Sequence, residues 1–529
     1  MNSLTGTRAL ARLALRLDRV RLTVWVLGLA VMPMGTAANY FKLYPSEDDL
    51  RAVSGVLSNP SLVALSGPLF DLSIGGLTVW KIGMTEFILV ALMSLLTVVR
   101  HTRTEEETGR LELLGATVIG RRAPLTAALL VTALANLAIA VLATLGLLAT
   151  GLPAAGSVAF GLATGLVGML FAVVAAVAAQ LTQGARAATG IASAVLGGSY
   201  LLRAVGDTGP TWLSWLSPIG WASHLRPYGG ERWWVAALFV VLTAVFGTAG
   251  YALAGRRDVG AGLLPERPGP VVAAPGLRSP LALAWRLHRG LLLGWTIALA
   301  LTGAVMGGAA AGIGDLKSPN QQLSDILSRM GGPNGFTDAF LGAIFGLTGM
   351  VAAAYTVQAT LRLRQEESSG RVEALLATRV GRLRWAASHL SFALLGTALL
   401  LAVSGVAGGL AYGAQVHDVG AQVGRILGAA LVQLPATWVL AGLGMALIGL
   451  APRLSSLAWA ALILSVLLVE LGALFGLSQW ILDITPFAHV PKLPGSAFSV
   501  TPVLWLTAIA VALGAAGLAG LRRRDMPVA

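Results

Sequence analysis

The charged side chains that could do chemistry in this chain are concentrated in one segment that occurs twice. The first copy, RTEEETGRLELLGATVIGRR, spans residues 103–122, and the second, RQEESSGRVEALLATRVGRL, spans residues 364–383. Eleven of the twenty aligned positions are identical. The identical pairs are Arg103/Arg364, Glu105/Glu366, Glu106/Glu367, Gly109/Gly370, Arg110/Arg371, Glu112/Glu373, Leu114/Leu375, Ala116/Ala377, Thr117/Thr378, Gly120/Gly381 and Arg121/Arg382. A repeat of this kind indicates a chain made of two related halves.

Catalytic and metal-binding residues are otherwise sparse in this sequence. Cysteine is absent, which excludes disulfides and thiolate metal sites. The six histidines occur singly and form no H-x-x-x-H ligand pair. None of the lysines follows a glycine, so the Gly-Lys-[Ser/Thr] signature of a phosphate-binding loop is missing. We therefore expect no metal, no bound cofactor and no ATP hydrolysis in this chain. A membrane-embedded enzyme is disfavoured as well, because no outer loop brings together paired aspartates or clustered histidines.

The composition is typical of a membrane protein. The 529 residues are 56% hydrophobic and 12% charged, whereas a soluble protein carries about 25% charged residues. About twelve apolar runs approach the roughly 20 residues that span a bilayer as a helix. They lie near residues 22–41, 80–99, 123–150, 156–181, 187–206, 232–254, 291–312, 340–361, 386–412, 423–450, 455–477 and 502–521. These runs predict an all-α integral membrane protein with about twelve transmembrane helices.

The distribution of basic residues predicts the orientation of these helices. The net charge of +13 comes mostly from arginines in short loops between apolar runs, so we do not expect nucleic-acid binding. Placing the N-terminus inside puts most of the 37 lysines and arginines on the inner side. We therefore expect a multi-pass protein of the cell membrane with both termini in the cytoplasm.

Two further similarities extend the repeat over the whole chain. RLDRVRLTVW, which begins at Arg16, is similar to RLHRGLLLGW, which begins at Arg286. The last apolar run of each half is followed by Arg-Arg-Asp, at residues 256–258 and 523–525. Six spans per half in the same sense predict parallel pseudo-twofold symmetry about the membrane normal. The predicted domains are a first half of residues 1–258, a cytoplasmic Pro/Gly-rich linker of residues 259–280 and a second half of residues 281–529.

Basic, amphipathic segments precede the first span of each half, near residues 3–21 and 278–290. Their leucines and arginines suit a helix that lies in the inner interface of the membrane. Simple positively charged flanks of the two spans are an equally good interpretation.

The repeated segment has the pattern of a helix on the cytoplasmic side. Leu111, Leu114 and Val118 recur at helical spacing and form one apolar stripe. Gly120 follows that stripe as a helix stop would, and Gly381 has the same place in the second copy. The pattern predicts one helix over residues 103–119.

Ion pairs are expected within this helix. Glu106 precedes Arg110 by four residues, the favourable order for a helical ion pair, and Glu367 precedes Arg371 in the same way. Two interpretations fit a polar, patterned helix of this kind. It either lies on the lipid headgroups or docks a soluble partner.

The segment also resembles a known family. A Glu-Glu-x-x-Gly-Arg-x-Glu-x-Leu-x-Ala-Thr helix between the second and third spans is similar to the coupling-helix region of ABC exporter permeases. Two fused six-span halves that each carry it resemble the actinobacterial permeases for tetronasin and related polyketide antibiotics. The resemblance implies that both copies dock a separate ATPase. The residues to which it assigns docking are Glu105, Glu106, Gly109, Arg110 and Glu112, and in the second copy Glu366, Glu367, Gly370, Arg371 and Glu373.

The same resemblance implies an export function. Two copies of a separate ATPase subunit would bind ATP and Mg²⁺, which this chain itself would not bind. Lipophilic or amphiphilic small molecules, such as antibiotics and drugs, would leave the cell along a mostly apolar path between the halves by alternating access. The copies differ at Gly115/Leu376 and Val118/Arg379, so the two docking sites need not be equivalent.

Three ionisable residues fall inside predicted spans, where a charge is costly and often functional. Glu86 lies in span two, and aligning spans five and eleven places Arg203 and Glu470 at the same depth. We hypothesise that Arg203 and Glu470 pair as an outer gate that the substrate must part. The alternative is that each snorkels outward or bonds a backbone carbonyl. Glu86 either contacts a cationic or hydroxylated part of the substrate or pairs with Lys81.

An ion-coupled drug antiporter is the main alternative function, because twelve spans in two parallel halves also describe that architecture. The small number of charged residues inside the spans counts against it, and so do the repeated segments, which it leaves unexplained. Vanadate-sensitive transport would favour the ABC exporter, whereas dependence on a proton gradient would favour the antiporter.

Overall fold

The protein is described here by a computed structural model. It covers residues 3–57, 60–111, 118–258, 260–264, 271–272, 274–314, 335–471 and 478–525, with the backbone alone at 52–56, 60–61, 275, 311–314, 335–336 and 470–471. Every regular element within those ranges is a helix, and none is a strand. Eleven of the helices are long and apolar enough to cross a membrane. The chain is therefore an all-α integral membrane protein, as predicted.

The candidate spans agree with the apolar runs of the sequence. Each of the eleven overlaps one predicted run. The remaining run, residues 455–477, begins with the shorter helix Leu457–Leu471, and residues 472–477 lie outside the described part of the chain. Helices form over these runs because lipid offers no hydrogen-bond partners, so each backbone group must be satisfied within its own segment.

Residues 1–269 form the first of two compact units. Its helices are α1 (Thr7–Leu17), α2 (Arg19–Leu43), α3 (Glu47–Leu57), α4 (Pro60–Ser66), α5 (Ile74–Val99), α6 (Ala123–Ala149), α7 (Ala154–Leu181), α8 (Ala185–Thr208), α9 (Pro218–His224) and α10 (Val235–Ala254). A π-helical turn, Arg100–Thr104, and a short helix, Glu105–Glu107, continue α5, and one turn, Trp212–Trp215, precedes α9.

Helix α7 lies at the centre of the first unit, where α5, α6 and α10 pack against it. Glycine permits close packing there, because a Cβ on Gly161 would lie 2.5 Å from the carbonyl oxygen of Ala140 in α6.

Residues 270–529 form the second unit, so the boundary falls inside the segment predicted as a linker. Its helices are α11 (Pro280–Gly314), α12 (Gly335–Ser368), α13 (Arg371–Leu376), α14 (Arg382–Gln415), α15 (Val419–Leu431), α16 (Leu434–Leu450), α17 (Leu457–Leu471) and α18 (Val500–Arg523). Single turns lie at Pro275–Leu277, Pro452–Leu454, Gln479–Leu482 and Pro486–His489.

In the second unit, helix α11 packs along α14, and α16 packs along α18. A Cβ on Gly303 or Gly307 of α11 would lie 2.2 Å from a backbone oxygen of α14, which explains the glycines.

The two units begin differently. In the first, α1 and α2 are separate helices, and Asp18 between them leaves the helical conformation with φ −100° and ψ 13°. In the second, α11 runs without a break, so the separate interfacial helix expected at residues 278–290 is not formed there. Asp18 is held by side chains that follow α5, whereas its aligned counterpart, His288, contacts α14 and remains within its helix.

Candidate functional site

A glycine interrupts each copy of the repeated segment. Gly109 and Gly370 have φ angles of 70° and 69°, a left-handed conformation that glycine adopts at little cost. The helix that continues α5 ends at Glu107, and α12 and α13 are separated by Gly370. The single helix predicted over residues 103–119 is therefore wrong, because the chain turns at the glycine. Gly381, expected to stop a helix, instead precedes the first residue of α14 in an extended conformation.

Behind the first turn, a glutamate is held by two arginines. Glu106 accepts hydrogen bonds from Arg103, three residues earlier, and from Arg257, which follows α10. Arg257 Nη2 lies 2.6 Å from Glu106 Oε1, and its Nη1 lies 3.0 Å from Oε2. Arg121, just before α6, donates to the backbone carbonyl of Arg257. We call these four residues the first clamp.

The first clamp also contacts the end of α7. The Nε of Arg103 donates to the carbonyl oxygen of Ala179, and its Nη2 donates to the carbonyl oxygen of Ala261 at 2.7 Å. Arg257 Nε donates to the side-chain oxygen of Gln180. Arg103 is fully buried. Its charge therefore depends on these partners, because an uncompensated charge inside a protein is strongly destabilising.

The second unit repeats this arrangement with aligned residues. Glu367 accepts a hydrogen bond from Arg524 Nη2 at 2.7 Å and lies 3.2 Å from Arg364 Nη1. Arg382, the first residue of α14, donates to the backbone carbonyl of Arg524 at 2.7 Å. These four residues form the second clamp. It is less enclosed than the first, because the Arg364 side chain is 27% exposed, whereas its counterpart Arg103 is fully buried.

Glu106 and Glu367 are therefore anchors inside the protein. Both carboxylates are buried, and each accepts a hydrogen bond from an arginine of the same unit. A docking role for these two glutamates, as the resemblance implied, would need a free carboxylate at the surface, which neither copy offers. Each glutamate holds in place the turn that follows it.

The ion pairs predicted from a four-residue spacing are replaced in both copies. Arg110 lies 3.6 Å from Glu105, and Arg371 lies 3.6 Å from Glu366, in each case one residue further back than predicted. Glu366 also pairs with Arg362 at 3.0 Å. The left-handed glycine explains the change, because it takes the following arginine out of helical register with the residues before it.

Each turn exposes an arginine. The side chains of Arg110 and Arg371 are 65% and 59% exposed. Open space surrounds Gly109, where a Cβ would meet no atom within 4 Å. Glu373 is half-buried on α13, and Glu112 lies outside the described part of the chain. Of the predicted docking residues, the two arginines are the ones best placed to contact a partner.

Asp18 is a candidate that the sequence patterns did not reveal. It is buried, and its carboxylate oxygens lie 3.1 Å from Arg100 Nε and 2.9 Å from His101 Nε2, two residues that directly follow α5. At the aligned position, His288 Nε2 lies 2.9 Å from Nδ1 of His389 in α14, and both histidines are buried. The sequence feature that could have revealed this site is a single aspartate within an otherwise basic, apolar segment.

Arg203 is buried in α8 and finds its partners within the first unit. Its terminal nitrogens lie 2.7 to 3.2 Å from the backbone carbonyl oxygens of residues 63–65, near the end of α4. Its Nη1 also lies 3.3 Å from Asp207. A cation at the carbonyl end of a helix is favoured by the helix dipole. Of the interpretations for Arg203, bonding to backbone carbonyls is the one observed, and the side chain of Glu470 lies outside the described residues.

Glu86 is fully buried in α5. Neither of its carboxylate oxygens has a hydrogen-bond partner in the described part of the chain. The ion pair considered with Lys81 is not formed between these two described residues, and Lys81 is exposed. Five positions along a helix place two side chains on different faces, which explains why they do not meet.

Comparison with known proteins connects this geometry to a family. Residues 277–522 match the family model for the C-terminal domain of the multidrug efflux system permease Rv1217c. Over 525 residues the chain is 48% identical to the multidrug efflux system permease protein Rv1217c of Mycobacterium tuberculosis (strain ATCC 25618 / H37Rv), covering 99% of this chain and 95% of that protein. The chain belongs to the Rv1217c family of permeases. This membership confirms the resemblance to a fused, two-half efflux permease.

As a member of the Rv1217c family, the chain is a multi-pass membrane permease, a component of a transporter rather than an enzyme. The match to the C-terminal domain includes Glu367 and Arg382 of the second clamp. The match over nearly the full length includes the first clamp as well. Both repeated segments therefore belong to the part of the chain that is shared with the family.

Proposed function

We propose that this chain is the membrane-spanning subunit of an ATP-driven (ABC) exporter that moves lipophilic or amphiphilic small molecules, such as drugs and antibiotics, out of the cell. Two copies of a separate ATPase bind at the two repeated segments and supply ATP hydrolysis with Mg²⁺. The observation that carries the proposal is the pair of exposed Gly-Arg turns, each supported by a buried clamp. The name of the relative, a multidrug efflux system permease, supports the class of substrate.

The first clamp explains how a partner moves transmembrane helices. Its hydrogen bonds join the ends of α5, α7 and α10 to the start of α6. Glu107 connects the start of α8 to the same group of helix ends, because its Oε1 accepts a hydrogen bond from the backbone N–H of Ala185 at 2.8 Å. A displacement of the turn at Arg110 is therefore transmitted to five helix ends by charged hydrogen bonds, which are stronger than neutral ones.

The second clamp joins fewer elements. Glu367 follows the membrane-spanning part of α12, Arg382 begins α14, and Arg524 follows α18. A partner at the turn containing Arg371 therefore acts on three helix ends. The two sites are unequal in this respect, in line with the sequence differences between the two copies.

The contacts of both chain ends support a cytoplasmic location of the termini. The carbonyl oxygens of Ser3 and Thr5 accept from the backbone N–H groups of Arg122 and Gly120, which belong to the first repeated segment. Near the other terminus, Arg524 belongs to the second clamp. If the repeated segments face the ATPase in the cytoplasm, both termini do so too, and the protein lies in the cell membrane.

Glu86 is the candidate for a direct contact with the exported molecule. A buried carboxylate without a partner is costly and is functional by default in a transmembrane helix. Arg203 is given a structural role instead of the gate, because its guanidinium is occupied by the carbonyl end of α4.

The same glutamate favours the second candidate function, an ion-coupled drug antiporter. An unpartnered carboxyl within a span is the kind of group that carries a proton through a transporter. This alternative leaves the two clamped turns without a role. Transport energetics distinguish the two functions.

Uptake of rhodamine 6G into inverted membrane vesicles tests the proposal. An ABC exporter takes up the dye only with ATP, loses uptake with vanadate and retains it when a protonophore collapses the proton gradient. An antiporter gives the opposite pattern. Vesicles that lack the chain are the control, and ATP hydrolysis by the purified chain alone would contradict the proposal.

A further inference from the structure

Helix α1 carries a row of arginines that the first clamp does not use. Arg8, Arg12 and Arg16 are exposed, and their spacing of four residues places them on one face of the helix. We call these three residues the arginine row. None of them takes part in an ion pair or a side-chain hydrogen bond within the described part of the chain. Their charges are therefore available to a partner.

The arginine row also lacks a counter-charge on the surface around it. The sequence of α1, TRALARLALRL, contains no acidic residue. Asp18, which follows α1, is 1% exposed and already contacts Arg100 and His101. Glu105, which lines a cleft beside the apolar face of α1, lies 3.6 Å from Arg110. The partner that complements this surface is therefore anionic.

The opposite face of α1 is apolar and only partly covered. Leu10, Leu13 and Leu17 line a cleft together with Pro124 and Ala127 of α6. Leu13 and Leu17 nevertheless remain 44% and 57% exposed. A helix with arginines on one face and uncovered leucines on the other suits the interface of a membrane, where headgroups meet the arginines and acyl chains meet the leucines.

The place of α1 in the chain brings it to a membrane surface. Helix α2, a candidate span, begins at Arg19, two residues after α1 ends. Helix α1 is separate from that span and packs against the start of α6. Its 11 residues are about 16 Å long, roughly half the thickness of the hydrocarbon core, so α1 does not cross the bilayer itself.

The residues before α1 are hydrogen-bonded to the end of the first repeated segment. The backbone N–H of Gly120 donates to the carbonyl oxygen of Thr5 at 2.9 Å. The backbone N–H of Arg122 donates to the carbonyl oxygen of Ser3 at 3.0 Å. A contact that holds α1 at the membrane surface therefore also holds the end of that segment.

The second unit does not repeat this arrangement. There α11 runs from its first turn into the span without a break. Aligning the starts of the two halves places Arg286 opposite Arg16, but Ala282 opposite Arg12. A separate helix that carries the complete row is therefore a feature of the first unit.

We propose that the arginine row binds anionic phospholipid headgroups and that this contact fixes the end of the first repeated segment at the membrane surface. The guanidinium groups approach the headgroup phosphates, while Leu13 and Leu17 contact the acyl chains. The inference goes beyond the proposed function, because lipid binding needs neither an ATPase nor an exported molecule. Only the assignment to the cytoplasmic leaflet rests on the proposed location of the termini.

Hydrogen–deuterium exchange of the full chain in nanodiscs tests the proposal. Nanodiscs of phosphatidylcholine alone are compared with nanodiscs that also contain phosphatidylglycerol. The anionic lipid should slow exchange of the backbone amides of residues 8–17 at least about fivefold, the effect of one arginine at an anionic surface. The amides of Gly120 and Arg122 should slow in parallel, because they are bonded to the residues that precede α1.

Variants of the row separate an effect of charge from an effect of helix stability. The combined variant Arg8→Gln, Arg12→Gln and Arg16→Gln should exchange equally fast in the two lipids. The combined variant Arg8→Lys, Arg12→Lys and Arg16→Lys keeps the charge and should retain the protection. High salt should remove the protection from the natural chain, because it screens exposed charges.

A matched control removes the same charge elsewhere. It combines Arg384→Gln, Arg453→Gln and Arg522→Gln, three exposed arginines on separate elements of the second unit, and should keep the protection of α1. Equal exchange of α1 in the two lipids would overturn the proposal and leave an acidic protein surface as the partner of the row. Protection that the glutamine variant of the row retains would overturn it as well. Protection of α1 without slower exchange at Gly120 and Arg122 would overturn the link to the repeated segment.

Discussion

The first and second units place the same four side chains at one end and different side chains at the other. Each unit holds a glutamate between two arginines and closes the group with a third arginine on a backbone carbonyl. At the other end, Trp80 and Ser223 of the first unit align with Leu341 and Pro491 of the second, which have no side-chain donor. The duplicated residues are therefore kept at one end of each half, whereas the other end has diverged.

The beginnings of the two units show a second difference. Asp18 separates α1 from α2 and is bound by Arg100 and His101, whereas His288 lies inside the continuous α11 and contacts His389. Asp18 and its two basic partners lie at the break between α1 and α2, whereas the contact of His288 with His389 lies within a helix that runs on.

The largest expected effect comes from removing the charge of a clamp glutamate. Glu106→Gln leaves Arg103 and Arg257 buried without a counter-charge, which should cost about 3–5 kcal/mol of unfolding free energy. Glu367→Gln should cost less, because the arginines of the second clamp are partly exposed. Thermal unfolding of the two purified variants in detergent measures both losses of stability. Glu105→Gln, at a half-buried position, is the control, and an equal loss for the two clamp variants would show that the two clamps do not differ in burial as described.

Adding one methyl group beside Tyr228 should have the next largest effect. Gly156→Ala places a Cβ about 2 Å from the tyrosine ring, and the overpacking should cost up to about 3 kcal/mol. Gly424→Ala in α15 is the matched change in the second unit, where a Cβ meets nothing within 4 Å. That variant should be neutral or more stable by up to about 1 kcal/mol, because alanine favours a helix. Unfolding midpoints check both, and a tolerated Gly156→Ala would show that the Tyr228 ring does not pack against α7 at this glycine.

Acid should weaken the first unit through His224, which stacks on Trp215 with ring centres 4.3 Å apart. Burial, with Arg226 and Arg232 adding repulsion, lowers the pKa of His224 to about 4, against about 6.5 in an unfolded chain. The stability contributed by the neutral ring is therefore complete above pH 6.5 and is lost as the pH falls towards 4. By pH 5 the loss should be about 2 kcal/mol.

The variant His224→Asn isolates this effect. Its thermal midpoint should fall less between pH 7.5 and pH 5 than that of the natural chain. The second unit has Lys492 rather than a histidine at the aligned position, so that position contributes no equivalent acid effect. If the substitution leaves the pH dependence unchanged, His224 is not the cause of the loss of stability in acid.

The helices of this protein were predictable from its sequence because lipid imposes one solution on a long apolar run. The repeat was also visible, since both copies keep their charged residues in order. The clamp was not predicted, although the Arg-Arg-Asp ends were noticed, because Glu106 and Arg257 are 151 residues apart and are brought together only by the packing of α5, α7 and α10. Local spacing instead favoured Arg110 as the partner of Glu106.

The turn within each repeated segment could have been predicted from the sequence, but the helical pattern around it favoured a different prediction. Gly109 and Gly370 stand in the middle of an otherwise helical pattern, and glycine is the residue that permits a left-handed turn. The apolar stripe favoured a continuous helix, and the glycines decided against it. The positive φ angles of Arg226 and Tyr228 were beyond prediction, because the ring of Tyr228 packs against helices that are distant in the chain.

The central claim is that a partner ATPase acts on this permease through the two exposed turns. ATP-dependent uptake of rhodamine 6G into inverted vesicles, compared between the natural chain and the double variant Arg110→Glu with Arg371→Glu, tests it most directly. Arg384→Glu, an exposed arginine near the start of α14, is the control. The double variant should keep its thermal midpoint and lose at least about tenfold in ATP-dependent uptake, equivalent to about 1.4 kcal/mol of lost coupling, while the control retains uptake. Unchanged uptake by a double variant that is folded and present at the normal level would contradict the claim.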